Sequence, residues 1–176
     1  MEKEKNTKKV KKLLKEIIPY ILIIISILLI KKYVFTTVLV NGDSMNNTLK
    51  NKDLMILNKI EYHLKGIKRF DIIVANVSNT KLIKRIIGMP GDYIEYQNNE
   101  LYINGEKVDD PYGNGTTYDF DLKSLEIDKI PANYYFVLGD NREDSIDSRM
   151  IGLVSKDDIL GHASFILFPL NRFGSV

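Results

Sequence analysis

The 176-residue chain has no cysteine, which excludes a disulfide framework, a cysteine nucleophile and any thiolate metal site. Histidine is scarce too. His63 and His162 are the only two, and neither sits in a recognisable catalytic box, so a Ser-His hydrolase has little to build on. No internal repeat is visible. Beyond residue 33, stretches long enough for a helix are few, the best being short turns near 123–128 and 155–159. The length allows one cored domain with an appendage but hardly two full domains. No metal and no cofactor are expected.

The formal net charge of +2 hides an asymmetry: residues 1–32 hold nine Lys against three Glu, and residues 33–176 hold sixteen Lys+Arg against twenty Asp+Glu. A basic head on an acidic body points to an anionic membrane surface and away from nucleic acid, which calls for basic residues spread over the folded part.

The head is arranged for insertion into a bilayer. Seven lysines between positions 3 and 15 precede an uncharged run at 17–30, and Lys31-Lys32 close it. The run is fourteen residues, about 21 Å of helix at ~1.5 Å per residue, against a hydrocarbon core of ~30 Å. Leu13 and Leu14 extend the apolar side inward, residues 33–40 resume it outward, and the flanking lysines can snorkel. Pro19 falls in the first turn of the run, where its missing N–H costs little. A cleaved secretory leader has the same basic and apolar regions. Here, however, Lys-Lys-Tyr-Val-Phe follows Ile30 with no pair of small residues for cleavage, which favours an uncleaved anchor. The expected division is a basic cytoplasmic segment at 1–16, a transmembrane anchor at 17–32 and an extracytoplasmic β-rich domain at 33–176, oriented by the lysine excess.

After residue 33 the pattern changes to short β-type runs between turn residues, at 33–40, 54–59, 71–77, 81–87, 92–96, 100–104, 134–138 and 163–168. Asn104-Gly105 is a hairpin signal joining 100–104 to Glu106-Lys107-Val108. Residues 109–119, with Gly113, Gly115 and two Thr, read as a loop. The fold class is mainly β: a coiled antiparallel sheet or barrel-like domain behind one N-terminal transmembrane helix.

Four stretches carry the chemistry. Asn41-Gly42-Asp43-Ser44-Met45 puts a serine on a strand-to-turn junction, where it is exposed and where Gly42 can free backbone amides to face a carbonyl; Gly-Asp-Ser is also ordinary turn composition. The second stretch, Lys81 to Asp92, is a strand ending in a Gly/Pro turn. Alternation puts Leu82, Lys84 and Ile86 on one face, with Arg85 pointing the other way. Taken alone, Lys84 is also read as a solvated strand lysine; if it is framed by apolar neighbours, desolvation moves its titration toward neutrality, and a neutral amine can take a serine proton. The third stretch, Gly139-Asp140-Asn141-Arg142-Glu143-Asp144-Ser145-Ile146-Asp147-Ser148-Arg149, suits a loop locked by its own bonds, for example Asp147 with Arg142 or Arg149, with Ser145 placed to hold the lysine amine on line. The fourth, Phe168-Pro169-Leu170-Asn171-Arg172-Phe173-Gly174, reads as a structural C-terminal closure.

Taken together, these stretches resemble the ordered motifs of bacterial type I signal peptidases, in the short Gram-positive-like form. That family has an N-terminal anchor, a Ser-Met box, a Lys-Arg-(Val/Ile)-Ile-Gly-x-Pro-Gly-Asp box and a Gly-Asp-Asn-Arg-x-x-Ser-x-Asp-Ser-Arg box. The last two are matched here at every defined position, and the resemblance spans nearly the whole chain. It implies a dyad of Ser44 as nucleophile and Lys84 as general base, with Ser145 orienting the lysine and Asp147 and Arg149 supporting the site. It also implies an oxyanion hole from the Ser44 N–H and a donor at Gly42, which here must be backbone. Three positions depart from the family pattern. Asn47 replaces a usual Pro, Lys52 stands where Gly is common, and Phe70 replaces a Gly before Asp71. The short spacing between the second and third boxes argues against the large extra β domain of longer members.

The implied substrate is a preprotein whose signal peptide lies in the same bilayer as the anchor. It would add as an extended strand beside 38–43 and 81–84, with small apolar pockets floored by Val38, Val40, Met45, Leu49 and Ile83 selecting Ala-X-Ala. A monomer on the outer face of the bacterial cell membrane is expected. Two other readings share part of this pattern. A self-cleaving repressor-type Ser-Lys peptidase would need a DNA-binding domain where this chain has its anchor. A signal-peptidase-like assembly factor, for example for pili, would have restricted or no general processing activity, against which the intact Ser44 and Lys84 argue.

Overall fold

The computed structural model describes the backbone of residues 2–176 and the side chains of residues 13–60 and 64–176, so the side chains of the lysines at positions 3–12 and of His63 lie outside the described residues. The chain begins with one long helix, α1 (Glu2–Tyr33), which carries Pro19 without interruption. Its part from Leu13 to Tyr33 is 21 residues, about 31 Å at ~1.5 Å per residue, enough to match a bilayer core of ~30 Å. None of that stretch is buried against protein. The helix therefore adds flanking residues to the fourteen-residue apolar run and supplies the length that the run lacks.

The body is antiparallel β. A larger sheet is formed by β1 (Phe35–Leu39), β2 (Leu54–Asn58), β3 (Ile72–Val77), β4 (Thr80–Gly88), β9 (Tyr134–Leu138), β10 (Val154–Ser155), β11 (Ile159–Phe168) and β12 (Gly174–Ser175). Its order is β1-β2-β11-β3-β4-β9-β10, with β12 added on β11. The outer strands β1 and β10 do not pair with each other, so the ladder is open. A smaller four-stranded sheet, β7-β6-β5-β8, is built from β5 (Ile94–Gln97), β6 (Glu100–Ile103), β7 (Glu106–Val108) and β8 (Phe120–Asp121).

Tight turns make this topology cheap. Asn104-Gly105 joins β6 to β7 with both residues at positive φ, the geometry that fits the twist of a hairpin. Ser78-Asn79 between β3 and β4 and Asn98-Asn99 between β5 and β6 do the same without glycine. Two short helices, α2 (Lys59–Lys65) and α3 (Ser148–Ile151), complete the body. The turns expected near 123–128 and 155–159 are 3₁₀ turns at Leu122–Leu125 and Lys156–Asp158. The strand expected at 163–168 begins earlier, at Ile159.

Three apolar clusters hold the sheets. One, with Val40, Met45, Leu49, Met55, Leu57, Val74 and Ile83, lies under the turn that bears Ser44. A second, with Ile87, Ile94, Tyr96, Leu101, Leu122 and Phe136, packs the small sheet on the large one. A third, with Ile73, Ala75, Ile86, Val137 and Ile159, covers the face of β4 that carries Lys84. Strand β4 is therefore buried on both faces from Ile83 onward. This makes Lys84 and Arg85 buried charges, each requiring a specific partner.

Candidate active site

Lys84 is 4% exposed and its Nζ donates to Ser44 Oγ at 2.7 Å. Alternation along β4 puts Lys84 on the face of Ile86, and its cross-strand partner is Ile73, so the ammonium stem is enclosed by apolar groups. Burial pushes the Lys84 pKa below the usual lysine range; the carboxylates of Asp147 and Asp140 pull it back up, and Arg149 adds to the lowering. The pair thus has the geometry of a hydroxyl facing its base, at the distance a proton transfer needs.

Ser44 sits in the turn after β1, and the third box grips that turn through the backbone. Asn141 N donates to Ser44 O at 3.0 Å, and Asn141 Nδ2 donates to Asp43 O at 3.2 Å. Gly139 lets the two segments approach this closely, because a Cβ there would collide with Ser145 Oγ and with the Ser44 carbonyl. Gly42 is at φ 94, and its N–H is directed at Asn51 Oδ1 over a long 3.3 Å. The Ser44 N–H has no acceptor among the described residues.

Asp147 is completely buried. It accepts from Gly139 N at 3.1 Å and from Arg149 Nε and Nη2, both at 2.8 Å. Of the two partners the sequence left open, Arg149 is the one Asp147 takes; Arg142 instead pairs with Asp110 at 2.7 Å. Arg149 also donates to the Arg142 carbonyl at 2.8 Å, locking the third box onto itself. Ser145 lies against Gly139, but its buried hydroxyl has no hydrogen-bond partner, so its expected bond to Lys84 is not made.

A cleft of about 140 Å³ leads to the pair, lined by Val38, Leu39, Val40, Asn41, Gly42, Ser44 and Met45 on one side and by Lys81, Leu82, Ile83 and Lys84 on the other. Four of the five expected pocket residues line it. Leu49 does not: it is fully buried in the cluster beneath. Both walls have an unpaired backbone edge, since β1 has a neighbour only in β2, and β4 pairs with β9 only from Arg85 onward. No group of metal-ligating side chains is found among the described residues.

Sequence reasoning passed over the residues that fasten this site. Arg85 grips Asp140 with two hydrogen bonds, 2.8 Å from Nε and 2.6 Å from Nη2, with both side chains buried. The Arg85 guanidinium also stacks on Tyr112 at 3.7 Å. Thr48 Oγ1 donates to the same carboxylate at 2.5 Å. The signal for Arg85 was its alternation away from Lys84 into the body; nothing local identified its partner, which is 55 residues away.

The family model described as signal peptidase, peptidase S26, matches residues 10–168. Signal peptidase I S of Bacillus subtilis (strain 168) is 37% identical over 178 aligned positions, covering 97% of each chain. Signal peptidase IB of Staphylococcus aureus (strain Mu50) is 36% identical, covering 93% of each. Among solved structures, a signal peptidase I from Enterococcus faecalis V583 superposes with a TM-score of 0.51 at 38% identity, covering 55% of this chain and 95% of that one.

Proposed function

The chain belongs to the signal peptidase family, peptidase S26, and we propose that it removes signal peptides from secreted preproteins by a Ser44–Lys84 dyad. The observation that carries the dyad is the 2.7 Å bond between Lys84 Nζ and Ser44 Oγ, with the lysine buried among apolar groups. Lys84 takes the hydroxyl proton as Ser44 attacks the scissile carbonyl, then returns it to the leaving amine; water releases the acyl group. The oxyanion is received by the free Ser44 N–H and by Gly42 N–H once the weak bond to Asn51 is given up. Asp147 and Arg149 hold the third box in place, and Ser145, whose buried hydroxyl is unpartnered beside Gly139, is the residue we assign to orient the lysine.

The substrate lies as a strand in the cleft, with the two free edges of β1 and β4 supplying main-chain bonds. The narrow apolar walls at Val38, Val40, Met45 and Ile83 favour alanine and exclude bulk, which gives the Ala-X-Ala preference. The apolar helix is a candidate membrane span. We place its N-terminus in the cytoplasm and residues 33–176 outside as a monomeric catalytic unit, by the lysine excess at the head. Exposed Phe35 and Leu39, just after the helix, suit a domain seated at the bilayer surface.

The test is cleavage of a preprotein with an Ala-X-Ala site by the purified protein in detergent, beside Ser44→Ala and Lys84→Ala. Cleavage by the unsubstituted protein alone is expected; normal cleavage by either variant would remove the dyad from the mechanism.

A further inference from the structure

The last eight residues carry one charged side chain, Arg172, and its contacts lie far from the C-terminus in sequence. Arg172 Nη2 donates to the Thr48 carbonyl at 2.8 Å and lies 3.0 Å from Asp53 Oδ2. Asp53 is itself 2% exposed and accepts Lys50 N at 2.8 Å. Thr48 is held from its other end as well: its hydroxyl donates to Asp140 at 2.5 Å and accepts from Arg85 Nη2 at 3.2 Å. The C-terminal turn thus holds Thr48 by its carbonyl, and the second and third boxes hold it by its hydroxyl.

The segment so held is the one that needs it. From Ser44 to Asp53 the chain is neither strand nor helix, and it turns twice through left-handed backbone, at Asn47 and Lys52. Its internal bonds, Asn46 N to Asp43 O and Thr48 N and Leu49 N to Met45 O, shape the loop but do not fix it relative to β4. Buried Met45 and Leu49 fix its depth, which apolar contact can do; its lateral position depends on directional bonds. Arg172 supplies one such hydrogen bond, to the Thr48 carbonyl, and an ion pair to Asp53, both through Nη2. It does so although its Nε is buried without a partner.

We propose that Arg172 is a positioning residue for the nucleophile, holding the 44–53 loop so that Ser44 Oγ stays aligned with Lys84 Nζ; this rests on the catalytic reading of those two residues. The C-terminal turn has other attachments for closing the domain, the Phe165–Phe173 contact at 4.7 Å and the β11–β12 pairing, so the role of Arg172 can be separated from closure.

The experiment compares full-length protein in detergent with Arg172→Gln and Arg172→Lys, using Leu170→Ala, an exposed neighbour in the same turn, as control. Hydrogen exchange by mass spectrometry and peptide cleavage are measured on each. In Arg172→Gln, exchange over 44–53 should speed up while β3 and β4 keep their protection. Because a small misplacement of reacting groups is costly, kcat should fall by at least about tenfold, with KM changed by less than about threefold. Arg172→Lys, or free guanidinium ion at millimolar concentration, should restore part of kcat; Leu170→Ala should match the unsubstituted protein. The proposal is overturned if Arg172→Gln leaves loop exchange or kcat unchanged, or if exchange rises equally over β3, β4 and β11. Should the unsubstituted protein not cleave the peptide, the catalytic reading fails by itself, and the exchange pattern alone decides whether Arg172 holds the loop.

Discussion

Lys84 Nζ donates at 2.7 Å to a hydroxyl, Ser44 Oγ, and among the described residues it has no carboxylate in ion-pair contact. A buried ammonium without a counter-ion is unfavourable, so burial shifts the balance toward the neutral amine, the form the proposed general base needs. On the proposed dyad, protein stability and catalysis therefore make opposite demands on this one side chain.

Replacing Lys84 by Met separates those demands. Cleavage should fall by ~10²–10⁴-fold, the usual worth of a general base, while thermal stability at neutral pH rises. The sign follows from linkage: with its folded pKa lowered, Lys84 binds its proton more weakly in the folded than in the unfolded chain. Its penalty is full below the lowered pKa and disappears as pH climbs toward the ordinary value of 10.5. Melting curves across that window should show a rise in stability with pH in the unsubstituted protein that is reduced in Lys84→Met. The cleavage rate of the unsubstituted protein should show the same group as an acid limb, falling as pH drops below the lowered pKa.

Asp147→Asn should move that acid limb in a defined direction. Asp147 is the first of the charges that raise the Lys84 pKa, so neutralising it lowers that pKa further and shifts the limb to lower pH. The same change leaves Arg149 without its carboxylate partner and should destabilise by about 3 kcal/mol, measured by urea denaturation. A limb that moves upward would mean that Asp147 acts on Lys84 by some route other than charge.

The three departures from the family pattern turn out to share a backbone feature: Asn47, Lys52 and Phe70 all have positive φ, at 88°, 72° and 70°. Lys52→Gly should stabilise by about 0.5–1 kcal/mol, since left-handed backbone costs a side chain about 1–2 kcal/mol and glycine gives part of that back in the unfolded chain. Phe70→Gly should destabilise despite the same relief, because Phe70 packs into the second cluster and lies 5.4 Å from the Tyr112 ring. Asn47→Pro should be strongly destabilising, because proline holds φ near −65° and lacks the N–H that Asn47 directs at Asn46 Oδ1. Denaturant melts of the three variants test these signs.

What could be read from the sequence divides along physical lines. Strand alternation was enough to put Lys84 on one face and Arg85 on the other, and Asn104-Gly105 specified its own hairpin, because both depend on neighbours in the chain. The other two hairpins were harder to see because Ser78-Asn79 and Asn98-Asn99 enter left-handed backbone without glycine. Long-range partners were out of reach: nothing near Thr48 shows that Asp140 and Arg172 will meet it, and the choice of Arg149 over Arg142 for Asp147 depends on Asp110 taking the latter. Leu49 was misplaced for a related reason, since apolar character alone does not separate a cleft wall from the core beneath it.

Val38 offers the most direct test of how the cleft selects its substrate. Val40 and Met45 also line it, but both are fully buried, and trimming Met45 there would cost about 2–5 kcal/mol and confuse specificity with unfolding. Val38 is only half-buried and stands on β1, whose free edge borders the cleft, so Val38→Ala should enlarge the cleft with little loss of stability. A methylene or two in an apolar pocket is worth roughly 1–3 kcal/mol, so kcat/KM for a peptide with valine at an alanine position should rise about tenfold relative to the Ala-X-Ala peptide. If the ratio stays fixed while the thermal melt is unchanged, the wall that rejects bulk is not at Val38, and Ile83 on the opposite wall becomes the residue to trim.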